Sequence, residues 1–289
     1  MWFERDSILP TVIPYLYSDW LSYASAVLAT AGIETPKLDA EYLLAFITGF
    51  PRLELRLHSS RVLTSRQHFK LSKLLGRREN REPLQYILGS VDFYGLHLHV
   101  SRSVLIPRNE TELLVQSIIR ENPQASSILD LGTGSGAIAL ALKKNLPNSS
   151  VTASDISARA LKIANGNASK LHLEVRFCKS DVLTQINGRF DVIVSNPPYL
   201  SEDEYEATLP EVRDFEPKKA LVADHKGLAI YEKILRDANN HLKRKGRIYF
   251  EIGYMQGNEI SFLAQKYGFT SMEIKQDYNG FDRFFIIRT

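Results

Sequence analysis

A β-branched apolar run halted by two prolines constrains the fold of this chain more than any other stretch. Phe190-Asp191-Val192-Ile193-Val194-Ser195 reads as a buried parallel strand. Asn196-Pro197-Pro198-Tyr199 follows, and prolines cannot extend a ladder, so the strand is expected to end at Asn196. That puts an amide and an aromatic ring at a strand's carboxyl end, where ligands of open α/β sheets collect. Each proline lacks an N–H but keeps its carbonyl. The turn is therefore rich in acceptors and suits a substrate that arrives as an N–H donor.

Around this strand the sequence alternates. Ser127-Ile128-Leu129-Asp130-Leu131, Val151 to Ser154, Val175 to Cys178 and Gly246 to Ile252 read as further strands. Helices are expected after Gly136, from about Ala158 to Ser169, and from Asn258 to Tyr267. Two last strands, Ser271–Lys275 and Phe284–Ile287, flank the hairpin-type turn Asp277-Tyr278-Asn279-Gly280. This predicts an α/β, doubly wound, mostly parallel sheet with an antiparallel C-terminal hairpin.

Residues 1–88 read instead as helices, expected to form a small N-terminal domain. Ala40, Leu43, Leu44 and Ile47 share one helical face, and Thr64 with Gln67 has the spacing of a capping box. The helix from Thr64 is expected to run through Phe69, Leu71, Leu74 and Leu75. Arg77, Arg78 and Arg81 read as a solvated basic face. Residues 89–108 are expected to link the domains as a β-hairpin, with Asp92–Val100 as one strand and Ser103–Ile106 as its partner. His97 and His99 would share a strand face but lack carboxylate or thiol partners, a poor metal site. Asn109 and Glu112 have N-cap and N3 spacing, opening a 109–289 domain with a helix. Ser201–Lys219 reads as a long acidic loop flanking the site, and Lys243-Arg244-Lys245 as a solvated turn.

Composition narrows the function classes. The 289 residues carry a net charge of only +3, which makes no case for a stable nucleic-acid partner. One cysteine, Cys178, excludes an intramolecular disulfide framework and suits a reducing cytoplasm. Met1–Asp6 lacks the basic start and apolar stretch of a signal peptide, and no apolar run is long enough to span a bilayer.

Gly132-Thr133-Gly134-Ser135-Gly136 is a tight turn into a helix. Its glycines let backbone approach a ligand, and the helix start offers free N–H groups. Gly132, Gly134 and Ala137 also satisfy a dinucleotide fingerprint, and Asp155 after the next strand is placed to hold a ribose diol. The loop points to an adenosine-containing cofactor without saying which. The acceptor-rich turn decides, because hydride transfer has no use for it. An –NH2 group does: its two N–H bonds held by the Asn196 side-chain oxygen and the Pro197 carbonyl would aim the nitrogen lone pair at a methyl donor. Tyr199 would wall the planar group.

Asp130–Gly136, Asp155 and Asn196–Tyr199 together resemble class I S-adenosylmethionine-dependent methyltransferases that modify amino groups. Arg81–Gly89, Ile106-Pro107-Arg108 with Glu110-Thr111-Glu112, Phe215-Glu216-Pro217 with Ala220-Leu221, and Glu251-Ile252-Gly253 resemble more narrowly the HemK-type protein-(glutamine-N5) methyltransferases of peptide-chain release factors. The resemblance implies S-adenosyl-L-methionine as methyl donor and S-adenosyl-L-homocysteine as product. It implies Gly132 to Gly136 beside the methionyl part, Asp155 on the ribose, and Asp181 and Val182 flanking the adenine. Asn196, Pro197, Pro198 and Tyr199 would hold the glutamine of the release factor's Gly-Gly-Gln loop, Asn196 would also touch the cofactor, and the N-terminal helices would dock that protein. Asn109 stands where the family usually has proline, and Val182 where some relatives carry an aromatic residue. The residues alone leave three other readings: a nucleic-acid amino methyltransferase acting on adenine N6 or guanine N2, a nicotinamide oxidoreductase, and a non-enzymatic cofactor-binding protein.

Overall fold

The computed structural model describes residues 16–289, so the expectation for Met1–Asp6 lies outside the described residues. The chain divides after Leu88 into two compact units.

The first unit holds α1 (Tyr17–Thr30), α2 (Pro36–Thr48), a 3-10 segment (Arg52–His58), α3 (Ser65–Glu79) and α4 (Leu84–Leu88). Helix α2 opens on Pro36, whose missing N–H is no loss there, and closes on Gly49 at φ +77°. Ala40, Leu43 and Leu44 point into the core with Trp20, Leu28 and Leu71, while Ile47 is only half buried. The Thr64–Gln67 capping box forms, each side chain meeting the other residue's backbone N–H. Phe69, expected inside, is 60% exposed, and Leu71 and Leu75 carry the buried face. Of the three arginines only Arg77 stays exposed, and all three are paired. Arg78 is buried and donates to Asp39 at 2.6 Å, Arg77 grips Glu82 through two nitrogens, and Arg81 donates to the carbonyls of Ala31 and Gly32. Most of these partners lie too far away in sequence for local charge pattern to reveal.

The second unit, Gly89–Thr289, begins with β1 (Ser90–Phe93) and β2 (Leu96–His99). Asp92–Val100 is therefore a complete hairpin and not one strand. Tyr94 (φ +48°) and Gly95 (φ +69°) form its two-residue turn, and Ser103–Ile106 forms no strand. His97 and His99 face solvent, but His97 does have a carboxylate partner, Asp92 at 2.8 Å. The unit continues through α5 (Asn109–Glu121), β3 (Ser127–Leu131), α6 (Ala137–Asn145), β4 (Ser150–Asp155), α7 (Ala158–Leu171), β5 (Arg176–Lys179) and β6 (Phe190–Ser195). After these come α8 (Glu202–Glu206), α9 (Pro210–Arg213), α10 (Ala229–His241), β7 (Leu242–Glu251), α11 (Gly257–Lys266), β8 (Ser271–Gln276) and β9 (Asp282–Arg288). Asn109 is the first helical residue of α5 and caps nothing. Glu112 instead accepts the Tyr94 N–H at 2.7 Å. Ser201–Lys219 is not structureless, because Ser201 and Glu204 form a capping box that starts α8. Helix α10, not anticipated from the sequence, buries Tyr231, Ile234, Leu235 and Ala238 at helical spacing.

The sheet has seven strands in the order β5-β4-β3-β6-β7-β9-β8, parallel from β5 to β7 and antiparallel at β9 and β8. Two apolar cores cover its faces. One contains Leu114, Leu140, Val194 and Tyr249 together with Phe93 and Leu98 of the hairpin; the other contains Leu131, Ile193, Tyr231, Ile260 and Phe250. Burial on both faces is why the central strands read as continuous apolar runs. Lys243 belongs to β7 and is not a free turn. It donates to Asp191 at 2.9 Å, where Ser126 and Ser127 also converge. Burial opposes the charge of Asp191, but these donors hold its carboxyl well below the usual range.

Candidate active site

Strand register assembles the site. Leu131 of β3 pairs with Ser154 of β4 and Ser195 of β6, and Ser195 pairs with Phe250 of β7. One residue further on, Asp155, Gly132, Asn196 and Glu251 stand abreast at the carboxyl ends of adjacent strands. The chain winds from β3 to β4 on one side and reaches β6 on the other, so this row crosses the sheet's switch point.

The glycine loop leaves β3. Gly132, Gly134 and Gly136 have φ of +73°, +57° and +86°. A Cβ on Gly132 or Gly134 would meet no atom within 4 Å, whereas one on Gly136 would press Leu140 and Ala164. The first two thus leave backbone open to a ligand, and the third lets α6 approach α7. Thr133 turns inward, its hydroxyl donating to Asp130 at 2.6 Å, and Ser135 is buried. Asp130 also accepts the Ala139 N–H, and burial pushes its carboxyl up to about 7. Asp155 reaches back to the loop, accepting the Gly134 N–H at 2.9 Å and the Ser157 N–H at 2.8 Å. Its burial raises its pKa against these donors. Asn167 ties the loop to the hairpin, donating to the Ser135 and His99 carbonyls and accepting the His99 N–H.

Asp181 and Val182 follow β5. Asp181 is half-buried and 3.5 Å from the Lys233 ammonium. Val182 has φ +53°, an uncommon strain for a β-branched residue, and its carbonyl accepts the Ser180 hydroxyl.

The Asn196–Tyr199 turn leaves β6. Pro197 is buried, and Tyr199 packs on the core that contains Tyr231. Burial, then the nearby Glu251 charge, pushes the Tyr199 phenol up to about 12, so it stays neutral. The Tyr199 carbonyl accepts Gln256 at 2.9 Å, and Gly227 lies so close that a Cβ there would fall 1.9 Å from that carbonyl oxygen. Among the described residues nothing donates to Asn196 Oδ1 or to the Pro197 carbonyl. Asn196 Nδ2 instead faces Thr111 Oγ1 at 3.4 Å, and Thr111 donates to Glu251 Oε2 at 2.6 Å. A cavity of about 170 Å³ beside the turn is lined by Leu105, Arg108, Asn196, Tyr199, Leu221 and Glu251 among others. Buried Glu216 holds one of the lining residues, accepting from Arg108 at 2.5 Å, and also accepts the Ile106 N–H at 3.1 Å. A larger open hollow, about 860 Å³, takes in the first residues of β4 and β5 and none of this row.

The sequence-derived positions therefore fall into one loop, one strand tip and one turn at the same sheet end, with Asp181 and Val182 following the neighbouring edge strand. Thr111, Asn167, Glu216 and Glu251 were not singled out as site residues. The only sequence signal for most of them was membership of motifs resembling a family. Among the described residues no cluster of His, Cys, Asp or Glu is arranged for a metal, and no helix is long and apolar enough to cross a membrane.

Comparison with known proteins extends this geometry. Residues 19–89 match the family model described as the PrmC N-terminal domain, and 108–212 that described as Methyltransferase small domain. A crystal structure of a methyltransferase from Pyrococcus furiosus superposes with a TM-score of 0.53 at 22% identity, over 67% of this chain and 89% of that one. Fold and site define a methyltransferase of the doubly wound α/β kind. The release factor glutamine methyltransferase of Streptococcus pneumoniae is 54% identical over 188 residues, 64% of this chain and 67% of that protein. The one from Geobacter sulfurreducens is 38% identical over 264 residues, 91% of this chain and 93% of that protein. The chain belongs to the release factor glutamine methyltransferase family.

Proposed function

We propose that this protein transfers a methyl group from S-adenosyl-L-methionine to the side-chain amide nitrogen, N5, of the glutamine in the Gly-Gly-Gln loop of peptide-chain release factors, in the cytoplasm. The observation that carries the reading is the pair of uncommitted acceptors, Asn196 Oδ1 and the Pro197 carbonyl, on the strand beside an open glycine cradle.

The residues fit such a cofactor. Gly132 and Gly134 present backbone with room in front of it, Asp155 offers carboxylate oxygens at the next strand tip, and Asp181 and Val182 follow the strand beyond. Thr133 and Ser135 contribute main chain, since their side chains are buried. When bound, the cofactor would supply a sulfonium methyl group open to attack by a nitrogen lone pair, with the thioether S-adenosyl-L-homocysteine as the leaving group. The chain's own contribution is position. An amide nitrogen is a poor nucleophile because its lone pair is delocalised. Fixing both N–H bonds on Asn196 Oδ1 and the Pro197 carbonyl holds the nitrogen in one orientation and stabilises positive charge as it develops there. The neutral Tyr199 ring, with Pro198, bounds the planar amide. The methylated nitrogen would then shed one proton to water. Residues 1–88 dock the protein substrate, and the second unit carries the chemistry; residues 89–108, expected as a linker, belong to that unit, because Phe93, Leu96 and Leu98 pack in its core and Leu105 and Arg108 line the cavity.

The test is one incubation of labelled S-adenosylmethionine with release factor, its Gln→Ala variant in the Gly-Gly-Gln loop, and bulk RNA. Label is expected on the intact release factor alone; label on RNA overturns the reading. Asn196→Ala is expected to bind the cofactor while its turnover falls by roughly 100-fold or more. Turnover near the wild-type rate would refute the positioning role.

A further inference from the structure

An asparagine holds a substrate N–H only if its oxygen, and not its –NH2, faces the substrate. Nothing within Asn196 fixes that choice, since the two ends of an amide have nearly the same shape. Its neighbours do. Glu251 is buried at the tip of β7, one strand from Asn196, and its Oε2 lies 2.6 Å from the Thr111 hydroxyl. An ionised carboxylate has no proton to give, so Thr111 must donate to it. A hydroxyl has one hydrogen, so Thr111 then offers Asn196 only a lone pair. The end of Asn196 that can meet a lone pair is –NH2, and Nδ2 lies there at 3.4 Å. Oδ1 is left on the opposite edge with no donor among the described residues.

We infer that Glu251, acting through Thr111, is a positioning residue that fixes the orientation of the Asn196 amide so that an acceptor faces the substrate nitrogen. The inference rests on the amide-methylation reading. It differs from proton abstraction, because Glu251 need not touch the substrate.

The relay depends on the carboxylate's charge. Glu251 is faced by Thr111 and Glu110 of α5, by Arg108 just before it, by Arg283 of β9 and by Tyr199 after β6; the Tyr231 hydroxyl of α10 binds its main-chain oxygen. Burial pushes its carboxyl up to about 7, against the Thr111 hydrogen bond and the Arg283 charge. Protonated, Glu251 can donate to Thr111 and release the hydroxyl hydrogen towards Asn196. The amide then gains by turning its –NH2 to the substrate, where it opposes an N–H.

The test follows kcat against pH for wild type, Glu251→Gln, Thr111→Val and Thr111→Ser, with intact release factor as substrate and cofactor binding measured separately. Wild type is expected to lose kcat about tenfold per pH unit below an apparent pKa near 7. Glu251→Gln and Thr111→Val are expected to lose roughly 10- to 100-fold in kcat at pH 8, with cofactor affinity little changed. Both should lack the acidic limb, and Thr111→Ser should restore most of the rate and the limb. Should Glu251→Gln fail to bind cofactor, the Thr111 pair decides alone. If Thr111→Val keeps wild-type kcat and the acidic limb, or Thr111→Ser restores neither, the relay is wrong. If wild type labels no glutamine at all, the parent reading fails instead.

Discussion

Single residues in this protein separate into those that admit a ligand and those that hold the frame, and the glycine loop contains both kinds. Gly134→Ala places a methyl group in open space at φ +57°, a backbone cost of about 1–2 kcal/mol. Its main effect is expected on cofactor affinity, a loss of roughly tenfold or more by titration calorimetry. Gly136→Ala instead drives a Cβ to 3.1 Å from Leu140 and 3.2 Å from Ala164, at φ +86°. It is expected to lower stability by about 1–3 kcal/mol in urea unfolding. Equal effects of the two substitutions on affinity and on stability would contradict this division. Gly132–Gly136, Asp155 and Asn196 were legible in the sequence because each directly follows a strand that the apolar pattern reveals. Thr111 and Glu251 were not, because their contacts cross 85 and 140 residues of chain. The arginines of α3 misled for the same reason: a charge run looks solvated until a partner such as Asp39 appears across the fold.

At the scale of elements, α7 does more than cover the sheet. Its Asn167 joins the β2 backbone to the glycine loop through three hydrogen bonds of 2.8–3.0 Å. Asn167→Leu leaves those buried backbone groups unpaired and is expected to cost about 2–4 kcal/mol. Faster amide exchange in both the hairpin and residues 132–136 should accompany the loss. Exchange confined to α7 would show that the bridge does not couple them. The strands of the doubly wound core were readable because burial on both faces leaves long apolar runs. Short elements were harder. The Tyr94-Gly95 turn lies inside an alternating pattern that continues through it, and α8 is announced only by the Ser201–Glu204 box within an acidic stretch. Helix α10 carried the ordinary apolar spacing and was legible in principle.

For the whole molecule, buried carboxyls set how stability responds to pH. Asp130 lies at about 7, mainly through burial, against an ordinary 3.8. A raised folded-state pKa means the folded protein binds the proton more tightly. The stability it contributes is full below about pH 4 and is lost as pH rises through 7. Glu251 acts in the same direction, while Asp191, held low, loses its contribution only in stronger acid. Asp130→Asn removes one titration. Relative to wild type, its stability is expected to rise by about 2–4 kcal/mol between pH 4 and pH 8, measured by urea unfolding at several pH values. A difference independent of pH would mean that Asp130 stays ionised in the fold.

The row formed by Asp155, Gly132, Asn196 and Glu251 behaves as a ruler graduated in strand spacings of about 4.8 Å. Side-chain substitution changes what stands at a graduation but cannot move it. Moving one would require a strand to slip, and a slip of one residue turns every side chain of that strand to the opposite face. The separation between the glycine loop and the Asn196–Tyr199 turn is therefore a property of the sheet. New acceptor chemistry has to be sought by rewriting residues 196–199 and the Leu105 and Arg108 side of the cavity, against a distance that stays fixed.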